Sequence, residues 1–226
     1  MRPMDAYADP DAVARYAERP PRLVPGFADL QRMCTQLLAE SAPTDARVLV
    51  LGAGGGLELR TFAQAQPHWR FDGVDPSDAM LALATRTLGA HAHRAQLHHG
   101  YIDIAPDGPF DAAACLLTLH FVPLHERVPT LAALHRRLRA GAPLVVAHMS
   151  FDQHDGARAL WLQRYADFAM SSGITPEQAE HGRAAVAEHV HILSPAQDEA
   201  LLREAGFSRV ESFYQGLGFR GWLALA

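Results

Sequence analysis

The sequence predicts a doubly wound α/β fold: a mostly parallel, seven-stranded sheet with helices on both faces, a helical insert and a C-terminal antiparallel hairpin. Three observations predict it. Short apolar runs alternate with amphipathic stretches of helical spacing, and a glycine cluster follows the first run. The last two runs are separated only by Gln215-Gly216-Leu217-Gly218.

Each element follows in order. Phe27, Leu30, Met33, Cys34, Leu37 and Leu38 recur at three-and-four spacing, so residues 27–40 form one amphipathic helix that Pro43 closes, within an N-terminal helical region over 1–44. Arg47-Val48-Leu49-Val50-Leu51 ends in glycines and reads as a buried parallel strand. A helix over 57–66, a strand over 69–75, a helix over 77–88 with Ser77 as its N-cap, and a strand over 96–101 continue the alternation. A strand over 110–117, a helix over 124–138 and a strand over 143–148 extend the sheet. Residues 155–195 are mostly helical, broken at Ser171-Ser172-Gly173 and Pro176, and read as an insert able to cover a pocket. A helix over 197–205 precedes strands over 207–214 and 219–225.

Composition bounds the function. A chain of 226 residues, 49% apolar and 20% charged, fits one large domain over 1–226. The net charge of −5, without a basic run, gives no footprint for direct nucleic-acid or anionic-membrane binding and favours a small-molecule substrate. Cys34 and Cys115 are too few and too far apart for a disulfide framework or a Cys-x-x-Cys metal site. The N-terminus, with Arg2, Asp5, Asp9 and Asp11, lacks an apolar signal core, and no stretch has membrane-spanning length, so the cytoplasm is the expected location.

The turn Gly52-Ala53-Gly54-Gly55-Gly56 joins a strand to a helix, where backbone N–H groups and the positive helix end converge and glycines admit a ligand close to the backbone. A tight turn alone also selects glycines. The second signal is Asp75, at the end of the next strand and roughly 20 residues on, where a carboxylate can accept from both ribose hydroxyls of an adenosine. The dinucleotide fingerprint needs a third glycine three places after the second, and those places hold Leu57 or Leu59. S-adenosylmethionine (SAM) is therefore favoured over a nicotinamide or flavin dinucleotide. Its adenine needs an apolar slot, for which Met80, Leu81 and Ile102 are candidates.

The run from Val48 to Gly56, with Gly73-Val74-Asp75-Pro76-Ser77 and Met80-Leu81, resembles the class I SAM-dependent methyltransferases, whose Rossmann-like fold agrees with the alternation above. The resemblance covers about residues 46–226. It is closest to the carboxy-SAM synthases, through Arg22-Leu23-Val24-Pro25-Gly26-Phe27, Leu117-Thr118-Leu119-His120-Phe121, Leu138-Arg139-Ala140-Gly141, Ala205-Gly206-Phe207 and Phe213-Tyr214-Gln215. Those enzymes use SAM and prephenate to make a carboxymethyl donor for tRNA wobble uridine. The resemblance implies cofactor contacts at Arg22, Phe27, Leu51, Gly52, Ala53, Gly54, Gly56, Asp75, Pro76, Met80, Tyr101, Ile102 and Leu117, and a carboxylate-gripping role for Arg183. It also suggests a homodimer. Where the family has an acidic residue at the end of the first strand, serving the methionine amino group, this chain has Val50; the usual Gly-Asp-Ile is Gly100-Tyr101-Ile102.

Methyl transfer from a sulfonium is an in-line displacement with a good leaving group, so positioning and desolvation supply much of the acceleration, leaving S-adenosylhomocysteine as product. His120 and His148, after the fourth and fifth strands, are candidate bases for an acceptor proton. If carboxyl transfer occurs instead, Arg183 should hold a carboxylate by a bidentate pair. Three activities follow in order: a small-molecule methyltransferase, a carboxy-SAM synthase relative, and a non-catalytic SAM-binding regulator. No metal is expected, because His91, His93, His98 and His99 straddle a turn and a strand without supporting cysteines or paired carboxylates. Cys115, in an apolar run, reads as a core thiol, and Trp161, Tyr165 and Phe168 read as insert packing or acceptor-pocket lining.

Overall fold

The computed structural model describes residues 16–154 and 156–226. The expectation of helices over 1–44 therefore lies, for residues 1–15, outside the described residues. In chain order the helices are α1 (Arg19–Leu23), α2 (Phe27–Ala39), α3 (Leu57–Ala65), α4 (Asp78–Leu88), α5 (Leu124–His135), α6 (Ala157–Ser171), α7 (Pro176–His189) and α8 (Pro195–Glu204). The strands are β1 (Arg47–Leu51), β2 (Arg70–Asp75), β3 (Ala95–His99), β4 (Ala112–Leu116), β5 (Pro143–Met149), β6 (Ser208–Gly216) and β7 (Phe219–Leu225).

The seven strands form one sheet in the order β3-β2-β1-β4-β5-β7-β6. β1 to β5 pair in parallel, and β7 runs antiparallel between β5 and β6. β4 and β5 are buried at every position because helices cover both faces, which explains their unbroken apolar runs. Alternate residues separate into two layers. Val48, Val50, Ala112 and Ala114 pack against Leu30, Cys34 and Leu38 of α2 and Leu59 and Phe62 of α3. Leu49, Leu51, Ala113 and Cys115 belong to the opposite layer, with Leu131 and Leu134 of α5, Leu202 of α8 and Trp222. The chain order reverses between β1 and β4, so their C-terminal ends border the crevice where open α/β sheets bind ligands.

Several boundaries differ from expectation for local reasons. β3 stops at His99, because Gly100 turns with φ +147° and a short 3₁₀ turn follows at Ile102–Ile104. β4 is shorter at both ends: Phe110 makes only a bridge to Leu138, and Leu117 leaves the strand with φ +55°. α8 begins two residues early, since Ser194 and Gln197 form a capping box and Pro195 fits the first helical position. β6 runs on to Gly216, leaving Leu217-Gly218 as the whole hairpin loop. Between β5 and α8, α6 and α7 pair with each other, joined by a break near Gly173.

Candidate active site

The glycine turn is tied to the end of β2. Gly52 and Ala53 donate to the Val74 carbonyl at 2.8 and 3.0 Å, and Gly54 donates to Asp75 Oδ2 at 2.9 Å. Asp75 Oδ1 accepts from the Ser77 N–H at 2.9 Å, and Ser77 caps α4 through Met80 N. Each carboxylate oxygen keeps a lone pair for a ribose hydroxyl. Burial pushes the Asp75 carboxyl above its ordinary range, and the hydrogen bonds from Ser77 and Gly54 oppose that shift.

The glycines of the turn divide by what stands beside them. A methyl group at Gly52, whose φ is +75°, would lie 2.0 Å from Thr118 Oγ1, and one at Gly56 would lie 2.8 Å from Ala84 Cα. Those two positions are dictated by packing of β1 against the β4 exit and of α3 against α4. At Gly54 and Gly55 the neighbours are instead the ends of side chains, Tyr16 above all. This stretch of backbone is covered by the Tyr16 ring rather than walled in by neighbouring helix backbone as Gly56 is. The Met80 methyl would lie 3.7 Å from a Cβ at Gly54, and Met80, Leu81 and Ile102, the residues expected to form an adenine slot, are buried at 3%, 7% and 9% exposure. The turn, its ribose carboxylate and the apolar slot together fit SAM.

Other expected residues stand as follows. Leu51 and Ala53 are buried, Pro76 is half-buried, and Phe27 is half-buried against the α2 core layer. Tyr101 is 64% exposed, because the early end of β3 turns it outward; in this position it does not line the adenine slot. Leu117 N donates to the Ala147 carbonyl at 2.6 Å, holding its left-handed backbone at the crevice. Arg22 is exposed at the end of α1. Arg183 does not present a free fork: its Nε and Nη2 bond Glu180 Oε2 and Oε1 at 2.8 and 2.5 Å, one helical turn away on α7. His98 pairs with Asp72, and His99 lies near Asp78 and the Pro76 carbonyl. Cys34 and Cys115 are buried, and burial pushes the Cys115 thiol up to about 12, far from reactive range.

His120 sits in a 3₁₀ turn, 5% exposed, and its Nδ1 accepts from the Met149 N–H at 3.1 Å. That bond leaves the proton on Nε2, and burial holds the imidazole well below its ordinary pKa. The ring is thus neutral, a donor at Nε2 rather than a base there. Behind it, His148 Nε2 lies 3.2 Å from Asp198 Oδ1, close but misaligned for a hydrogen bond, and Arg127 Nη1 lies 3.4 Å from the same oxygen. All three are essentially inaccessible, so His148 belongs to the packing of β5 against α5 and α8.

Two residues here were missed in the sequence. Tyr16 lies across Gly54 and Gly55, and as a single aromatic outside any periodic run it carried no signal. Glu58, in the first turn of α3, is 6% exposed. Its spacing of four from the buried Phe62 was a legible sign that an acid faces inward. An open groove of about 540 Å³ between α2 and α3 is lined by Arg32, Gln36, Thr61 and Gln66 among others, and its lining includes neither the glycine turn, Asp75, Glu58 nor His120.

Comparison with known proteins bears on the fold and on the class of enzyme. Residues 49–144 match the methyltransferase domain family, a span running from β1 into β5. The carboxy-S-adenosyl-L-methionine synthase of Chromohalobacter salexigens is 28% identical over 98% of this chain and 85% of its own. A SAM-dependent methyltransferase structure from Aquifex aeolicus, 17% identical, superposes with a TM-score of 0.64 over 96% of this chain and 98% of that one. Human N-acetylserotonin methyltransferase in complex with SAM, 14% identical, gives 0.64 over 98% of this chain, which spans 58% of that protein. The two structures bear on the fold. The matched domain and the nearly full-length similarity make this chain a SAM-dependent transferase with SAM as its cofactor, similar to the carboxy-SAM synthases, and the two structures share its fold.

Proposed function

We propose that the chain transfers a methyl group from SAM to a small-molecule acceptor. SAM, when bound, supplies an activated methyl on a sulfonium. Asp75 binds the ribose, Met80 and Ile102 exclude water from the adenine, and the backbone at Gly54 and Gly55 receives the amino-acid end. The neutral His120 orients rather than deprotonates, so acceptors that are nucleophilic without a base are favoured. The observation that carries methyl over carboxyl transfer is the bidentate Arg183–Glu180 pair, which occupies the fork a donor carboxylate would need.

The second reading, a carboxy-SAM synthase, is favoured by the curated relatives of that name. A regulator without chemistry has no such support. Incubation with SAM and prephenate, followed by mass spectrometry of the cofactor, separates the first two. The proposal expects no carboxylated SAM, and S-adenosylhomocysteine formed with a member of an acceptor panel of phenols, amines, thiols and carboxylic acids. Carboxylated SAM would establish the second reading instead. We also hold the protein to be a cytoplasmic homodimer joined through its N-terminal and insert helices, with exposed Leu160 and Met170 on α6 in support. Light scattering that returned a monomer would remove the dimer.

A further inference from the structure

Glu58 is a buried acid with no ion-pair partner among the described residues. It lies in the first turn of α3, directly after the glycine turn, at 6% exposure. It is within electrostatic reach of Cys34 in the α2 layer, of Cys115 in the opposite layer, and of Asp75 at the end of β2. As the second residue of α3, which starts directly after the turn leaving the C-terminal end of β1, Glu58 belongs to the edge of the sheet where the crevice lies. Its carboxyl is served by its own backbone N–H and forms no ion pair among the described residues. Burying a carboxyl without a cation costs several kcal/mol in its charged form, so such a group is retained where a ligand supplies the charge.

SAM carries one group of that kind beside its sulfonium, the α-ammonium of its amino-acid end. The strand residue nearest the turn that could have served it, Val50, is apolar, fully buried and packed into the α2 layer. Asp75 is engaged by Gly54 and Ser77 and faces the ribose position. We infer that the Glu58 carboxylate is the counter-charge for the SAM α-ammonium, taking the place an acid at position 50 would otherwise fill. The inference rests on SAM being the cofactor and is independent of which group is transferred. Burial raises the Glu58 carboxyl from 4.5 to about 8, so it is mostly protonated at pH 7 and must release its proton to solvent when the ammonium docks.

The test is calorimetric titration at pH 7 in two buffers of different ionisation enthalpy, using SAM and 5′-methylthioadenosine, which lacks the amino-acid end. Wild-type protein is expected to release about one more proton on binding SAM than Glu58→Gln does, and none with methylthioadenosine. Glu58→Gln is expected to weaken SAM roughly 10- to 100-fold while leaving methylthioadenosine within about twofold. Equal weakening of both ligands would mark Glu58 as a structural acid and overturn the inference. So would unchanged SAM affinity. If the variant fails to fold, wild-type protein still decides: SAM binding without proton release, against the same titration with methylthioadenosine, sinks the idea. Wild-type protein that bound neither compound would remove the cofactor site along with it.

Discussion

A side chain at Gly52 would collide with Thr118 before it met any ligand, and its backbone would be strained at φ +75°. Gly52→Ala is expected to lose at least ~2 kcal/mol in urea denaturation. Because the Thr118 Cβ itself would stand 2.6 Å from the new methyl, Thr118→Gly rather than Thr118→Ala should recover the steric share and leave the backbone share. A Gly52→Ala protein as stable as wild type would show that this turn is not held as described. Glu58 gives a second prediction, in pH. Its folded-state pKa, about 8, lies above its ordinary 4.5, so the folded protein holds the proton more tightly than the unfolded chain does. Stability from this group is therefore full below about pH 4.5, declines as pH rises through the window to about 8, and stays low above it. The decline is on the order of a few kcal/mol. Thermal melts of ligand-free Glu58→Gln should show a smaller loss between pH 5 and 9 than wild type; parallel profiles would contradict the assignment. At this scale a spacing rule was enough to bring Gly54 and Asp75 together, and the structure joins them by a hydrogen bond. The sequence was silent where a role depends on a neighbour: Arg183 cannot announce that Glu180 fills its fork, nor Tyr101 that β3 ends two residues early.

Elements were legible in proportion to how much of their signal was local. β1 was readable residue for residue, because a short apolar run bounded by glycines has few alternatives. The ends of β3, β4 and α5 were not, since they depend on left-handed residues and a bridge between Phe110 and Leu138 that only the assembled fold supplies. The docking of α8 on α5 and β5 is the clearest case. Asp198 of α8 meets Arg127 and His148 in full burial, and Arg127 also donates to the His191 carbonyl. Asp198→Ala strands a buried guanidinium and should cost about 3–5 kcal/mol in denaturant unfolding. Replacing the pair by Arg127→Met with Asp198→Leu should restore most of that loss. A loss below ~1 kcal/mol in the single variant would mean the charge is relieved by water rather than by the pair.

For the whole molecule, the alternation of runs and helices was enough to reach the seven-stranded topology, because right-handed crossovers leave few ways to order five parallel strands. The acceptor end was not reachable the same way. It depends on where α6 and α7 lie relative to the crevice, which composition does not encode, and no described helix is long and apolar enough to cross a membrane. Both the cofactor end, at the glycine turn and Asp75, and the acceptor end are proposals, the first resting on the tie between Gly54 and Asp75. The central claim is that the glycine turn and Asp75 together hold SAM, and calorimetric titration of wild type and Asp75→Ala with SAM and S-adenosylhomocysteine tests it most directly. One site is expected for each ligand on the wild type, with affinity falling roughly 10- to 100-fold or more in the variant as the ribose contacts and the tie to Gly54 are lost. Equal affinity in the two proteins would contradict it.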